Sequence, residues 1–218
     1  MSSTAYFLTG TDTNIGKTYV GAAIARALTA AGKRVGVYKP VASGCELVSG
    51  ALQSEDALTL WRAAGEPLSL HEVCPQSFAA PLAPPLAARA EGKTVDAKLL
   101  RSAFNIWRSG FDVTLVEGAG GLLSPISDVD LNADLARDLG LPLIVVAANR
   151  LGTINHTLLT LEAAATRGLE VRCVVLSDVA AKLDESAATN AAELRRLVTA
   201  PIVEVRYDCE VEANSILQ

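Results

Sequence analysis

Six short apolar runs alternate with segments of helical periodicity along this chain, and that alternation constrains its fold more than any other feature. The runs lie at 5–9, 34–38, 111–116, 141–147, 170–176 and 201–205, each rich in Val, Leu or Ile and bounded by turn residues. Each predicts a buried strand. Between them, 17–31, 56–64, 97–109, 132–139, 155–167 and 185–197 carry helical spacing. Strands that are apolar along their whole length belong to a parallel sheet covered on both faces and joined by right-handed crossovers. The expected fold is therefore α/β, a single doubly wound, mainly parallel sheet with helices on both faces. At 218 residues, half of them hydrophobic, the chain has material for one core, so residues 1–218 are expected to form a single domain. One stretch breaks the rhythm: 73–93, with Pro75, Pro81, Pro84 and Pro85, predicts an irregular excursion.

Several classes fall away. The longest apolar runs reach strand length, short of the roughly 20 residues that span a bilayer, and the first one leads directly into a loop rather than a cleavage site. No membrane association and a cytoplasmic location are expected. Cys45, Cys74, Cys173 and Cys209 lie far apart without a CxxC pair, which predicts free thiols rather than a zinc site or disulfide framework. A net charge of −5 disfavours nucleic acid, whose backbone requires clustered Lys and Arg.

In a doubly wound sheet, ligands bind beyond the carboxyl ends of the strands, so the loops there are where chemistry belongs. After the first strand runs Gly10-Thr11-Asp12-Thr13-Asn14-Ile15-Gly16-Lys17-Thr18, and a helix follows at once. Its N–H groups and the helix dipole would hold a phosphate, Lys17 would reach the terminal phosphates, and Thr18 would place a hydroxyl on Mg²⁺. Five residues separate Gly10 from Gly16, one more than in the usual pattern. The strand, loop and helix together predict a fold of the P-loop NTPase type. The second strand ends at Lys39, one of only six lysines, on a strand expected beside the first. A second cation there would neutralise charge on a transferred phosphoryl group, and Ser43 offers a hydroxyl to phosphate or substrate. The third strand leads to Glu117 and Gly118-Ala119-Gly120-Gly121, placing a carboxylate where a magnesium ligand is expected. Asp56, at a helix start, is either a second ligand or an acidic residue favoured by the helix dipole. The helix start at Thr153, Ile154 and Asn155 is either an anion site suited to a carboxylate or an ordinary capped helix, with Thr153 or Asn155 as the cap. His71 and His156 have no catalytic partner nearby in sequence, so both are expected to be structural.

Taken together, Gly-Thr-Asp-Thr-Asn-Ile-Gly-Lys-Thr from Gly10, Tyr-Lys-Pro-Val-Ala-Ser-Gly from Tyr38, Ser-Glu-Asp-Ala-Leu from Ser54, Val-Glu-Gly-Ala-Gly-Gly from Val116 and Leu-Gly-Thr-Ile-Asn-His from Leu151 resemble the dethiobiotin synthetase family. The resemblance runs from residue 1 to about residue 178 and includes the longer phosphate loop. It implies an ATP- and Mg²⁺-dependent ligase of biotin synthesis that joins CO₂ or bicarbonate to 7,8-diaminopelargonate and closes the ureido ring. A carbamate and a carbamic-phosphoric anhydride would be the intermediates, ADP and phosphate the by-products. Lys39 would be the catalytic lysine, holding carbamate and γ-phosphate together with Lys17. Thr13, Asn14, Ile15, Gly16, Lys17, Thr18 and Tyr19 would line the nucleotide, with Asp56, Glu117, Gly118, Ala119, Gly120, Ser177 and Asp178. Thr18, Asp56 and Glu117 would be the metal ligands, and Ser43 a substrate contact. Thr153, Ile154 and Asn155 would bind the substrate carboxylate across a homodimer interface.

Toward the C-terminus the chain departs from that family. Ser177-Asp178-Val179 stands where Asn-Asp-Val is common, Val205-Arg206 stands in place of Ile-Pro, and Asn190 stands where some members carry a substrate-contacting tyrosine. Serine reaches less far than asparagine, which implies looser discrimination among nucleotides. The competing class is a P-loop switch of the partitioning or metal-insertion type; such proteins carry a lysine early in the loop, and Gly10–Asn14 has none. A glutaminase-coupled amide synthetase would need a longer chain.

Overall fold

A computed structural model describes residues 4–207 and 213–217. Six strands form one parallel sheet: β1 (Thr4–Gly10), β2 (Val35–Tyr38), β5 (Val113–Gly121), β6 (Leu143–Ala148), β7 (Val171–Ser177) and β8 (Ile202–Val205), in the order β2-β5-β1-β6-β7-β8. The sequence places all six. β3 (Glu46–Val48) and β4 (Ala51–Gln53) add a separate antiparallel hairpin that the apolar pattern does not announce. The helices are α1 (Lys17–Ala30), α2 (Glu55–Ala63), α3 (Leu70–Val73), α4 (Pro84–Ala90), α5 (Ala97–Ser102), α6 (Asn132–Leu139), α7 (Thr153–Thr166), α8 (Ala187–Leu197) and α9 (Ala213–Leu217). None of the described helices is long and apolar enough to cross a membrane.

The central strands are apolar throughout because both faces are covered; β2 and β6 are buried at every position. α1 lies close against the sheet through Gly21, where a Cβ would come within 3.0 Å of Leu8 and of Leu60 on α2. Small residues thus set the spacing of helix to sheet. Cys45, Cys74 and Cys173 are free and buried, and burial pushes the Cys74 thiol up to about 11 and that of Cys173 up to about 12. Cys209 lies outside the described residues.

Five expectations change. β2 pairs with β5, not β1, so Lys39 lies two strands from the phosphate loop and reaches it across β5. β5 does not stop at Val116: pairing with β1, Leu8 opposite Glu117 and Gly10 opposite Gly121, carries it through the glycines. The stretch 73–93 is ordered by backbone bonds from Ala42, Gly44 and Cys45 to Gln76, Ala80 and Phe78, and α4 starts on Pro84 and Pro85. Proline is well tolerated there because the first helical N–H groups have no intrahelical partner. α5 ends at Ser102 and continues as a 3-10 turn over Ala103–Trp107. α7 begins at Thr153, capped by Gly152 in the left-handed conformation (φ 93°) rather than by a Thr or Asn side chain.

Candidate functional site

At the carboxyl end of the sheet the loops after β1, β2, β5, β7 and β8 enclose a cleft of about 730 Å³. Thr13 to Tyr19 form its floor, with Lys39, Ser43 and Asp56 on one side, Ala119 and Gly120 on another, and Ser177 and Asp178 at the far end. The phosphate loop holds its shape through left-handed backbone at Asn14 (φ 55°) and Gly16 (φ 89°). A Cβ on Gly16 would lie 3.0 Å from Ser177 Oγ, so the glycine also admits the end of β7.

Beneath the loop lies a buried charge cluster. Lys39 and Glu117 are 3% and 1% exposed, and Lys39 Nζ donates to Glu117 Oε1 at 2.5 Å and to Asp56 Oδ2 at 2.9 Å. Thr18 Oγ1 donates to the same Glu117 oxygen at 2.9 Å. Burial alone would lower the pKa of Lys39, but the Glu117 and Asp56 carboxylates outweigh it, so the ammonium holds its proton more tightly than an ordinary lysine. Lys17 is also buried and donates to the Asp12 carbonyl at 3.1 Å. There desolvation wins over the attraction of Glu117, and its pKa falls below the ordinary value. Lys39 is thus a fixed cation, while Lys17 gains most from the arrival of an anion.

The Lys39 ammonium, opposed by partial burial, holds the Asp56 carboxyl below its ordinary 3.8. A group whose folded pKa is depressed contributes stability that is complete above the unfolded value and is lost as pH falls through the folded one. Asp56→Asn is therefore expected to lower the thermal midpoint at neutral pH, and the gap from wild type should close as pH falls below 3.8. A gap of constant size down to pH 2 would show that Asp56 contributes by something other than its charge.

The donors that remain suit a hard cation. Glu117 Oε2 is buried without a hydrogen-bond partner, while its Oε1 meets the Thr18 hydroxyl and shares Lys39 with the Asp56 carboxylate, whose side chain is 52% exposed. Among the described residues no three His, Cys, Asp or Glu side chains converge. An all-oxygen set of two carboxylates and one hydroxyl fits Mg²⁺, which takes its other ligands from phosphate and water.

The remaining predicted residues lie apart. Glu117 and Gly118 are buried under the cleft rather than lining it, and Gly118 abuts Phe7 and Asn132. Thr153, Ile154 and Asn155 do not line the cleft; Thr153 is buried with its hydroxyl unpartnered. Asn190 is buried and bonded to Asn149 and the Arg150 carbonyl. Among the residues missed are Pro81 to Pro84 and Tyr207 on the rim, and Asn132, which clasps the backbone of 119–124. The prolines signalled a break without showing that the broken segment becomes a wall.

A strand-to-helix phosphate loop with Lys17 and Thr18 at its end, backed by a carboxylate on the neighbouring strand, defines a P-loop nucleotide-binding protein. The family described as an AAA domain matches residues 4–206. The ATP-dependent dethiobiotin synthetase BioD of Rhodopirellula baltica is 47% identical over 209 residues, covering 91% of this chain and 82% of that protein. That of Anaeromyxobacter dehalogenans is 46% identical over 191 residues, covering 88% and 84%. The chain belongs to the dethiobiotin synthetase family, a family of ligases. Among solved structures, pNOB8 ParA bound to nonspecific DNA superposes with a TM-score of 0.55 at 13% identity, covering 89% of this chain and 74% of that one, a likeness of fold alone.

Proposed function

We propose that this protein uses ATP, Mg²⁺ and CO₂ to convert 7,8-diaminopelargonate to dethiobiotin; the names of its relatives support ATP as co-substrate and dethiobiotin as product. The observation that carries this reading is the buried Lys39–Glu117–Thr18 cluster under a phosphate loop, which offers a fixed cation and oxygen donors. One substrate amine adds to CO₂, forming a C–N bond and releasing a proton, to give a carbamate. A carbamate oxygen attacks the γ-phosphorus, the bond to the leaving ADP oxygen breaks, and a carbamic-phosphoric anhydride results. The second amine attacks the carbamoyl carbon and releases a proton, phosphate leaves with the C–O electron pair, and the ureido ring closes. Lys39, tightly protonated, acts as a positioned charge that draws carbamate and γ-phosphate together, and Lys17 joins it once phosphate arrives. Mg²⁺, held by Thr18, Asp56 and Glu117, would neutralise phosphate charge. Ser43, which lines the cleft, would contact the substrate.

Because Thr153–Asn155 lie outside the cleft, the substrate carboxylate is assigned to this helix start on a second copy, which makes the working unit a homodimer. The buried unpartnered hydroxyl of Thr153 and the exposed Leu151, two residues before it, support that assignment. We place the reaction in the cytoplasm and treat residues 1–218 as one functional domain. The test supplies diaminopelargonate, bicarbonate, Mg²⁺ and ATP and measures dethiobiotin and ADP. Equal amounts of both are expected; ADP without dethiobiotin would instead favour a nucleotide switch.

A further inference from the structure

We infer that Asp178 reads the nucleotide base as a hydrogen-bond acceptor of fixed orientation, and that Asn149 and Asn190 are the positioning residues that fix it. This rests on the reading of the cleft as a nucleotide site. The phosphate loop directs the terminal phosphates toward Lys39, just after β2, and Glu117 on β5, so the nucleoside runs the other way. That end of the cleft is lined by Ser177, Asp178, Val179 and Tyr207, at the ends of β7 and β8.

Hydrogen bonds settle the polarity of every group in the relay. Asn190 Nδ2 lies 3.3 Å from the Arg150 carbonyl oxygen, which only accepts, so the amide nitrogen faces that side. The same nitrogen donates to Asn149 Oδ1 at 3.0 Å, which turns Asn149 Nδ2 toward Asp178 Oδ1, 2.8 Å away. The Ala187 carbonyl, 3.5 Å from Asn149 Nδ2, independently requires the same orientation. Both amides are buried, and the Asp178 N–H is tied to the Val205 carbonyl at 2.8 Å. Asp178 therefore cannot turn freely. Oδ1 is held, and Oδ2 has no partner among the described residues. A carboxylate pinned in this way accepts from the cleft and cannot donate to it. It matches a base edge with an exocyclic amine, as in adenine or cytosine, and opposes one with an oxo group.

The relay makes an unusual prediction. In Asp178→Asn, Asn149 Nδ2 still donates, so the held atom must remain an oxygen. The new amide nitrogen then faces the cleft, and the acceptor becomes a donor. The experiment measures equilibrium binding of ATP and ITP, which exchange a 6-amino for a 6-oxo group, to the full chain without diaminopelargonate. Wild type should favour ATP by on the order of tenfold, and Asp178→Asn should favour ITP by a similar factor. Adding Asn149→Leu to Asp178→Asn frees the amide to rotate, and the preference should fall to within about twofold. Each variant's thermal midpoint is measured alongside. General loosening would weaken both nucleotides together, whereas only loss of orientation removes the selectivity and spares affinity. Equal affinity of wild type for the two nucleotides, or Asp178→Asn weakening both alike, would overturn base reading by Asp178. Persistent ITP preference in the double variant would overturn the relay alone. Failure of wild type to bind either nucleotide would instead overturn the assignment of the cleft.

Discussion

A Lys39→Met chain is expected to lose on the order of 10²- to 10³-fold in kcat for dethiobiotin formation, and about 3–5 kcal/mol of folding stability with it. The two losses have different origins. Methionine fills nearly the same volume, so little cavity is left; the stability cost comes from Glu117, stranded as a buried carboxylate with only the Thr18 hydroxyl bonded to it. The kinetic cost comes from removing a charge whose position is set by two carboxylates and which therefore needs no reorganisation as the phosphoryl group moves. A second substitution separates them. In Lys39→Met/Glu117→Gln the buried negative charge is gone, so stability should return most of the way while turnover stays lost. Thermal midpoints and initial rates at saturating ATP measure both quantities. Wild-type kcat in Lys39→Met would remove Lys39 from the chemistry, and no recovery in the double variant would mean that charge burial was not the cause.

The sequence revealed the parts of the molecule whose signal is local. The sheet strands show themselves because both faces are buried and every position is apolar, and the phosphate loop because Gly16, Lys17 and Thr18 act where they stand in the chain. What stayed hidden depends on distant partners. Glu117 and the glycines after it are poor strand formers, and β5 continues through them because β1 supplies the ladder. Lys39 was recognisable as a cation at a strand end, but its contacts with Asp56 and Glu117 depend on a strand order that no local pattern contains. The hairpin at 46–53 did carry a signal: Ser49-Gly50, both at positive φ, form the two-residue turn such hairpins favour. α4 carried one too, in Pro84 and Pro85 at a helix start. Asn132, Asn149 and Asn190 carried none, because a side chain that bonds to remote backbone and amide groups resembles any polar residue on a helix or loop.

Asn132 shows how much such a residue controls, and Asn132→Leu is expected to cost about 3–4 kcal/mol. The side chain is fully buried in the first turn of α6. Its Oδ1 accepts from the Ala119 N–H at 3.1 Å, and its Nδ2 donates to the carbonyls of Ala119 at 2.7 Å, Gly121 at 2.9 Å and Ser124 at 3.3 Å. Gly118 makes room for this clasp, since a Cβ there would stand 2.5 Å from Asn132 Oδ1. Leucine keeps the volume and loses every one of these bonds, leaving buried backbone groups without partners. Ala119 and Gly120 line the cleft, so a loosened loop should also weaken ATP binding. Asn132→Asp separates bonding from packing, because its shape is unchanged while the donor facing three carbonyls becomes an acceptor. It should be destabilised at least as much as Asn132→Leu in urea titrations at neutral pH, with ATP affinity falling in parallel. An Asn132→Asp chain unfolding at the wild-type midpoint would show that the loop is held by packing alone; the predicted order of midpoints, wild type well above both variants, requires the amide's donor to be what closes the glycine loop over the nucleotide.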